Sequence, residues 1–115
     1  MISVAHIPQL VDNYSYAIIK NKDIVIVDPA DSIPILKYIN KNQLSLKAIL
    51  LTHHHKDHTA GVEDILNKIK SKIPVYSPNK EIKNTTIKVK DKDLINLNFI
   101  QVEVISTPGH TRDHV

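Results

Sequence analysis

Two short runs, Ile24-Val25-Ile26-Val27 and Ala48-Ile49-Leu50-Leu51, are apolar at every position. A strand with one wet face alternates apolar and polar residues, whereas a run with no polar position is buried on both faces. Both runs therefore read as central strands of a sheet. Between them, Ser32 is placed to cap a helix running to about Asn42, with Ile35, Leu36 and Ile39 turned inward. After the second run, Val62, Ile65, Leu66 and Ile69 fall at i, i+3, i+4 and i+7, an amphipathic helix within Ala60–Lys72 that follows Gly61. Tyr14–Ile19, Pro74–Tyr76, Ile87–Val89 and Ile100–Val104 read as further strands, and Lys88 and Lys90 suit a sheet edge. The expected class is α/β: a mixed sheet with helices on one face. A single domain spanning residues 1–115 is expected, large enough for a core of its own.

Composition narrows the function classes. With no cysteine, disulfides, thiolate zinc fingers and cysteine nucleophiles are excluded. Hydrophobic residues at 42% and charged residues at 23% fit a globular chain. No apolar run approaches the roughly 20 residues of a transmembrane helix, so no membrane span is expected. Met1-Ile2-Ser3-Val4 lacks the features of a secretory signal, and a cytoplasmic location is the expectation. The net charge of +3 comes from scattered lysines, with Arg112 the sole arginine. Arginine forks and stacking aromatics are missing, which disfavours a nucleic-acid partner.

The chemistry concentrates in Thr52-His53-His54-His55-Lys56-Asp57-His58, after a buried strand and before an amphipathic helix. In an extended segment, residues two apart share a face, so His53 and His55 point together and His54 points away. Asp57 and His58 follow where the chain turns into the helix. Four nitrogen and oxygen ligands at one strand end suit Zn²⁺, with Fe²⁺ and Mn²⁺ as alternatives. A chance group of surface histidines is the competing reading, and the position at a strand–helix junction argues against it. His110 also follows a strand, in Thr107-Pro108-Gly109-His110, and strand ends from one sheet edge can converge. Asp28 ends the first buried run. It either supports a ligand or the loop by hydrogen bonds from behind, or only starts the Asp28-Pro29 turn. His6, His54 and His114 are assigned outside the ligand set.

His53-x-His55-x-Asp57-His58 resembles the signature of the metallo-β-lactamase superfamily. Asp12-Asn13-Tyr14-Ser15-Tyr16, Val27-Asp28-Pro29 and Thr107-Pro108-Gly109-His110-Thr111 accompany it in the order and rough spacing of the glyoxalase II (hydroxyacylglutathione hydrolase) family. The resemblance implies the N-terminal half of an αββα sandwich. It implies His53, His55 and His110 as ligands of a first metal, and Asp57 and His58 as ligands of a second. Asp57 would also orient the nucleophile in metal-assisted hydrolysis of a small-molecule thioester. The family's bridging aspartate, its last metal-binding histidine and its helical glutathione-holding region have no counterpart here. Weak activity of the isolated chain is therefore expected, with a homodimer or a separately encoded C-terminal half as partner. Two other readings stay open: a non-catalytic metal-binding remnant or partner subunit, and another hydrolase or nuclease of the superfamily.

Overall fold

The computed structural model describes residues 2–9, 14–53, 59–69, 71–106 and 115. Six strands form one sheet in chain order: β1 (Ile2–Pro8), β2 (Tyr14–Lys20), β3 (Asp23–Val27), β4 (Ser45–Leu50), β5 (Val75–Ser77) and β6 (Ile87–Lys88). The first pairings are antiparallel, and β2 meets β3 through a tight turn in which Asn21 takes φ 58°. A short amide side chain tolerates that left-handed conformation. From β3 onward the neighbours β4, β5 and β6 run parallel. Parallel neighbours need crossovers, and α1 (Ser32–Lys41) and α2 (Val62–Lys68) lie in the first two.

The two unbroken apolar runs are covered on both sides, each by a different layer. Ile24, Ile26, Ile49 and Val75 pack with Ile35 and Ile39 of α1 and Val62 and Ile65 of α2. The alternate residues Val25 and Ala48 face the other way and pack with Ile100, Ile18, Leu50 and Tyr76. That second face carries an antiparallel pair, β7 (Leu94–Asn96) and β8 (Gln101–Glu103), which forms a sheet of its own. The layers thus run helices, mixed sheet, second sheet, in agreement with the α/β expectation.

Four details differ from the sequence expectation. The α1 cap is Asp31, whose side chain accepts from the Ile33 amide at 3.1 Å, while Ser32 is the first helical residue. A carboxylate caps as well as a hydroxyl does, and the Ser32 hydroxyl is used elsewhere. The second helix is shorter than Ala60–Lys72: it stops at Ile69, which takes an extended conformation. The Ile69 amide still closes the last turn on the Ile65 carbonyl, and the chain then straightens toward β5. The strand expected over Ile100–Val104 is β8, in the second sheet, paired with a strand over Leu94–Asn96 that has too few residues to show a period. β1 likewise went unread, because its outward face holds Ile2 and Val4 and so hides the alternation.

Candidate metal centre

β3 and β4 are parallel neighbours, so their carboxyl ends finish side by side. Such an edge is where open α/β sheets gather functional groups. Asp28 closes β3: its amide donates to the Leu50 carbonyl at 2.9 Å. Its φ of 54° lies in the left-handed region, which aspartate tolerates better than most residues. The carboxylate then grips the end of β4 twice. Oδ1 accepts from the Thr52 amide at 2.8 Å and Oδ2 accepts from Thr52 Oγ1 at 2.6 Å. Asp28 is only 7% exposed, and a buried carboxylate requires such donors. Thr52 Oγ1 in turn lies 2.8 Å from His53 Nδ1, and His53 is 1% exposed.

The other end of the histidine segment is fixed to the same turn. The Gly61 amide donates to the Pro29 carbonyl at 2.8 Å. A Cβ on Gly61 would stand 2.8 Å from Pro29 O and 3.0 Å from Ser32 N, so only glycine fits. The Ser32 hydroxyl donates to the Asp64 carboxylate and ties α1 to α2. That bond holds the Asp64 carboxyl below the usual carboxylate range, opposed by partial burial and aided by Lys68. On the near side, Gln9 Oε1 accepts from the Asp31 amide at 2.7 Å, and Ser15 Oγ donates to the Val27 carbonyl at 2.7 Å. The Val115 amide donates to the Thr52 carbonyl at 3.1 Å. An apolar cavity of about 220 Å³ lies beside Leu51 and Thr52, walled by Ile18, Val27, Val102 and Val104.

Of the residues singled out by sequence, Asp28 and His53 are joined here through Thr52. His55, Asp57, His58 and His110 lie outside the described residues, as does His54. Among the described residues no group of three His, Cys, Asp or Glu side chains stands close enough to share an ion. His6 sits on β1 against Tyr16, edge to face with ring centroids 4.9 Å apart. Sequence reasoning missed Thr52 and Gly61 as participants. The available signal was their position, bracketing the histidine stretch at a strand end and a helix start.

The family model of the metallo-β-lactamase superfamily matches residues 9–115. The chain belongs to that superfamily. Within it, the chain is similar to hydroxyacylglutathione hydrolases. It is 44% identical over 115 residues to that of Actinobacillus pleuropneumoniae serotype 5b, covering 100% of this chain and 48% of the relative. It is 39% identical over 117 residues to that of Hahella chejuensis, covering 100% of this chain and 45% of the relative. The chain thus spans about half the length of these curated relatives and aligns along its whole length. The crystal structure of BLEG-1 B3 metallo-β-lactamase shares the fold, with a TM-score of 0.80 at 23% identity, over 97% of this chain and 65% of that one. The superfamily fold inferred from the histidine motif is therefore shown, and the chain corresponds to the N-terminal half of the hydroxyacylglutathione hydrolases.

Proposed function

We propose that this chain is the N-terminal, metal-binding part of a metal-dependent thioester hydrolase acting on hydroxyacylglutathione, and that residues 1–115 form one truncated domain. The observation that carries this reading is the 44% identity along the entire chain to a hydroxyacylglutathione hydrolase. His53, His55 and His110 would hold one divalent metal, Zn²⁺ first and Fe²⁺ or Mn²⁺ as alternatives. Asp57 and His58 are only two ligands for a second, so that second site would stay empty or weak. The described part of the site suits such an ion: His53 is a buried imidazole whose Nδ1 is held from behind by Thr52, itself anchored on Asp28. Metal-binding histidines are commonly supported in this way. When bound, the metal supplies Lewis acidity, which makes water nucleophilic near neutral pH and steadies charge on the thioester carbonyl oxygen. Asp57 orients the attacking water, and Asp28 and Thr52 keep His53 in place. A thiolate leaves readily, so the chain needs no strong general acid.

The reading includes a cytoplasmic location and a partner surface for a second copy or a separately encoded C-terminal half. Metal analysis after dialysis should find about one equivalent per chain, lost in His55→Ala and kept in His54→Ala. Two equivalents, or none, contradict the assignment. Turnover of S-lactoylglutathione with Zn²⁺ tests the chemistry. For residues 1–115 alone it should be measurable but far below the diffusion-limited range of roughly 10⁸ M⁻¹s⁻¹, because they span about half of the relatives' length and remote binding energy from the other half would not be available to them. Metal binding with no turnover would favour the second reading, a binding part that needs its other half. The roughly half-length match to the relatives is the observation behind that reading.

A further inference from the structure

The candidate metal centre contains a hydrogen-bond chain whose direction is fixed by counting protons. Thr52 is the donor in both of its contacts with the Asp28 carboxylate. A carboxylate only accepts. Thr52 has a single hydroxyl proton, and the 2.6 Å contact to Asp28 Oδ2 uses it. The 2.8 Å contact between Thr52 Oγ1 and His53 Nδ1 must then be filled by a proton on Nδ1. A neutral imidazole carries one proton, so Nε2 holds the lone pair.

We propose that Asp28, acting through the Thr52 hydroxyl, is the positioning residue that dictates the tautomer of His53: proton on Nδ1, lone pair on Nε2. The inference rests on the reading of His53 as a metal ligand for its purpose, but the tautomer is a property of the metal-free chain. The two residues do more than brace the loop. They make one ring nitrogen a ligand before any ion arrives, so the ion displaces no proton from it.

The same counting predicts a reversal. In D28N the side-chain oxygen must face the Thr52 amide, which only donates. The amide NH₂ then faces Thr52 Oγ1 and donates to it. The threonine proton is thereby turned toward His53 Nδ1, which becomes an acceptor, and the ring proton moves to Nε2. D28N keeps the shape of the carboxylate while inverting the chain. T52V removes the relay, and T52S retains it.

The test is ¹⁵N NMR of the imidazoles in the full metal-free chain, at a pH above the ordinary histidine pKa of about 6.5. His53 is assigned by its loss in His53→Gln. The wild-type chain and T52S should show a protonated Nδ1 and a bare Nε2. D28N should show the reverse, and T52V a mixture. Zn²⁺ affinity, by competition with a chromophoric chelator, should fall about 10- to 100-fold in D28N and T52V and recover in T52S. A wild-type His53 protonated on Nε2 overturns the proposal, as does a D28N spectrum identical to wild type. Should T52V fail to fold, the wild-type and D28N tautomers still decide. If the tautomers behave as stated while the wild-type chain binds no Zn²⁺, the metal-site reading fails and the relay stands.

Discussion

Gly61 packs against the backbone of Pro29, Ala30 and Ser32, which leaves no room for a side chain. Its φ of −84° is ordinary for any residue, so the need for glycine is steric rather than conformational. A methyl group would meet Pro29 O at 2.8 Å and Ser32 N at 3.0 Å, both backbone atoms that cannot swing aside. Gly61→Ala should cost about 1–3 kcal/mol, the usual penalty for overpacking. The urea midpoint should fall while the slope stays constant. At this scale the sequence was only partly legible. The histidines stand out in the sequence by type and spacing, and of the proposed ligands only His53 lies among the described residues. Thr52 did not, because its bond to Asp28 spans 24 residues of chain and no local pattern marks it. For Asp28 the sequence left two roles open, and the geometry shows a residue that turns the chain and also holds Thr52.

Between elements, one polar contact crosses from α1 to α2. Ser32 is buried and donates to Asp64, which is half-exposed and also lies 3.4 Å from Lys68 one turn along its helix. The depressed carboxyl has a defined sign. A group whose pKa is lower in the folded chain stabilises the fold above its unfolded value, about 4 for aspartate. That contribution disappears as pH falls through the folded value. Ser32→Ala should raise the Asp64 pKa toward the ordinary range, seen in carboxyl NMR titration. It should also flatten the dependence of stability on pH below about 4. The elements that sequence located best, β3, β4 and α1, are those with long, consistent periods. Those it missed or overextended, β1, β7 and the end of α2, are set by neighbours. β7 forms because β8 lies beside it, and α2 gives way to the extended path into β5.

At the scale of the whole molecule, the described residues of the layer opposite the helices cover only part of the sheet. β7 and β8 cover Val25 and Ala48 fully. The outer part of that face is open: Ile2 is 52%, Val4 59% and Tyr16 44% exposed on the paired strands β1 and β2. Leu94 and Ile105 are more than half exposed as well. Soluble monomers seldom carry apolar patches beyond several hundred Å². The chain alone should therefore self-associate at micromolar concentration, read by sedimentation velocity. A monodisperse monomer with a sharp thermal transition would contradict this. Helices were expected on one face; the β7–β8 pair adds partial cover on the other, and of its two strands only β8 was legible, because β7 has too few residues to show a period. The turn at residues 28–30 has one more consequence. It holds Thr52 and Gly61, the two ends of the histidine segment, by main-chain and carboxylate hydrogen bonds. Bringing together the ends of a loop of that length costs about 2 kcal/mol of chain entropy, and folding has already met it. A zinc finger leaves that closure to the ion and unravels when stripped. Here chelation by EDTA should leave the far-ultraviolet circular dichroism unchanged, since the bonds that hold Thr52 and Gly61 are made of protein alone.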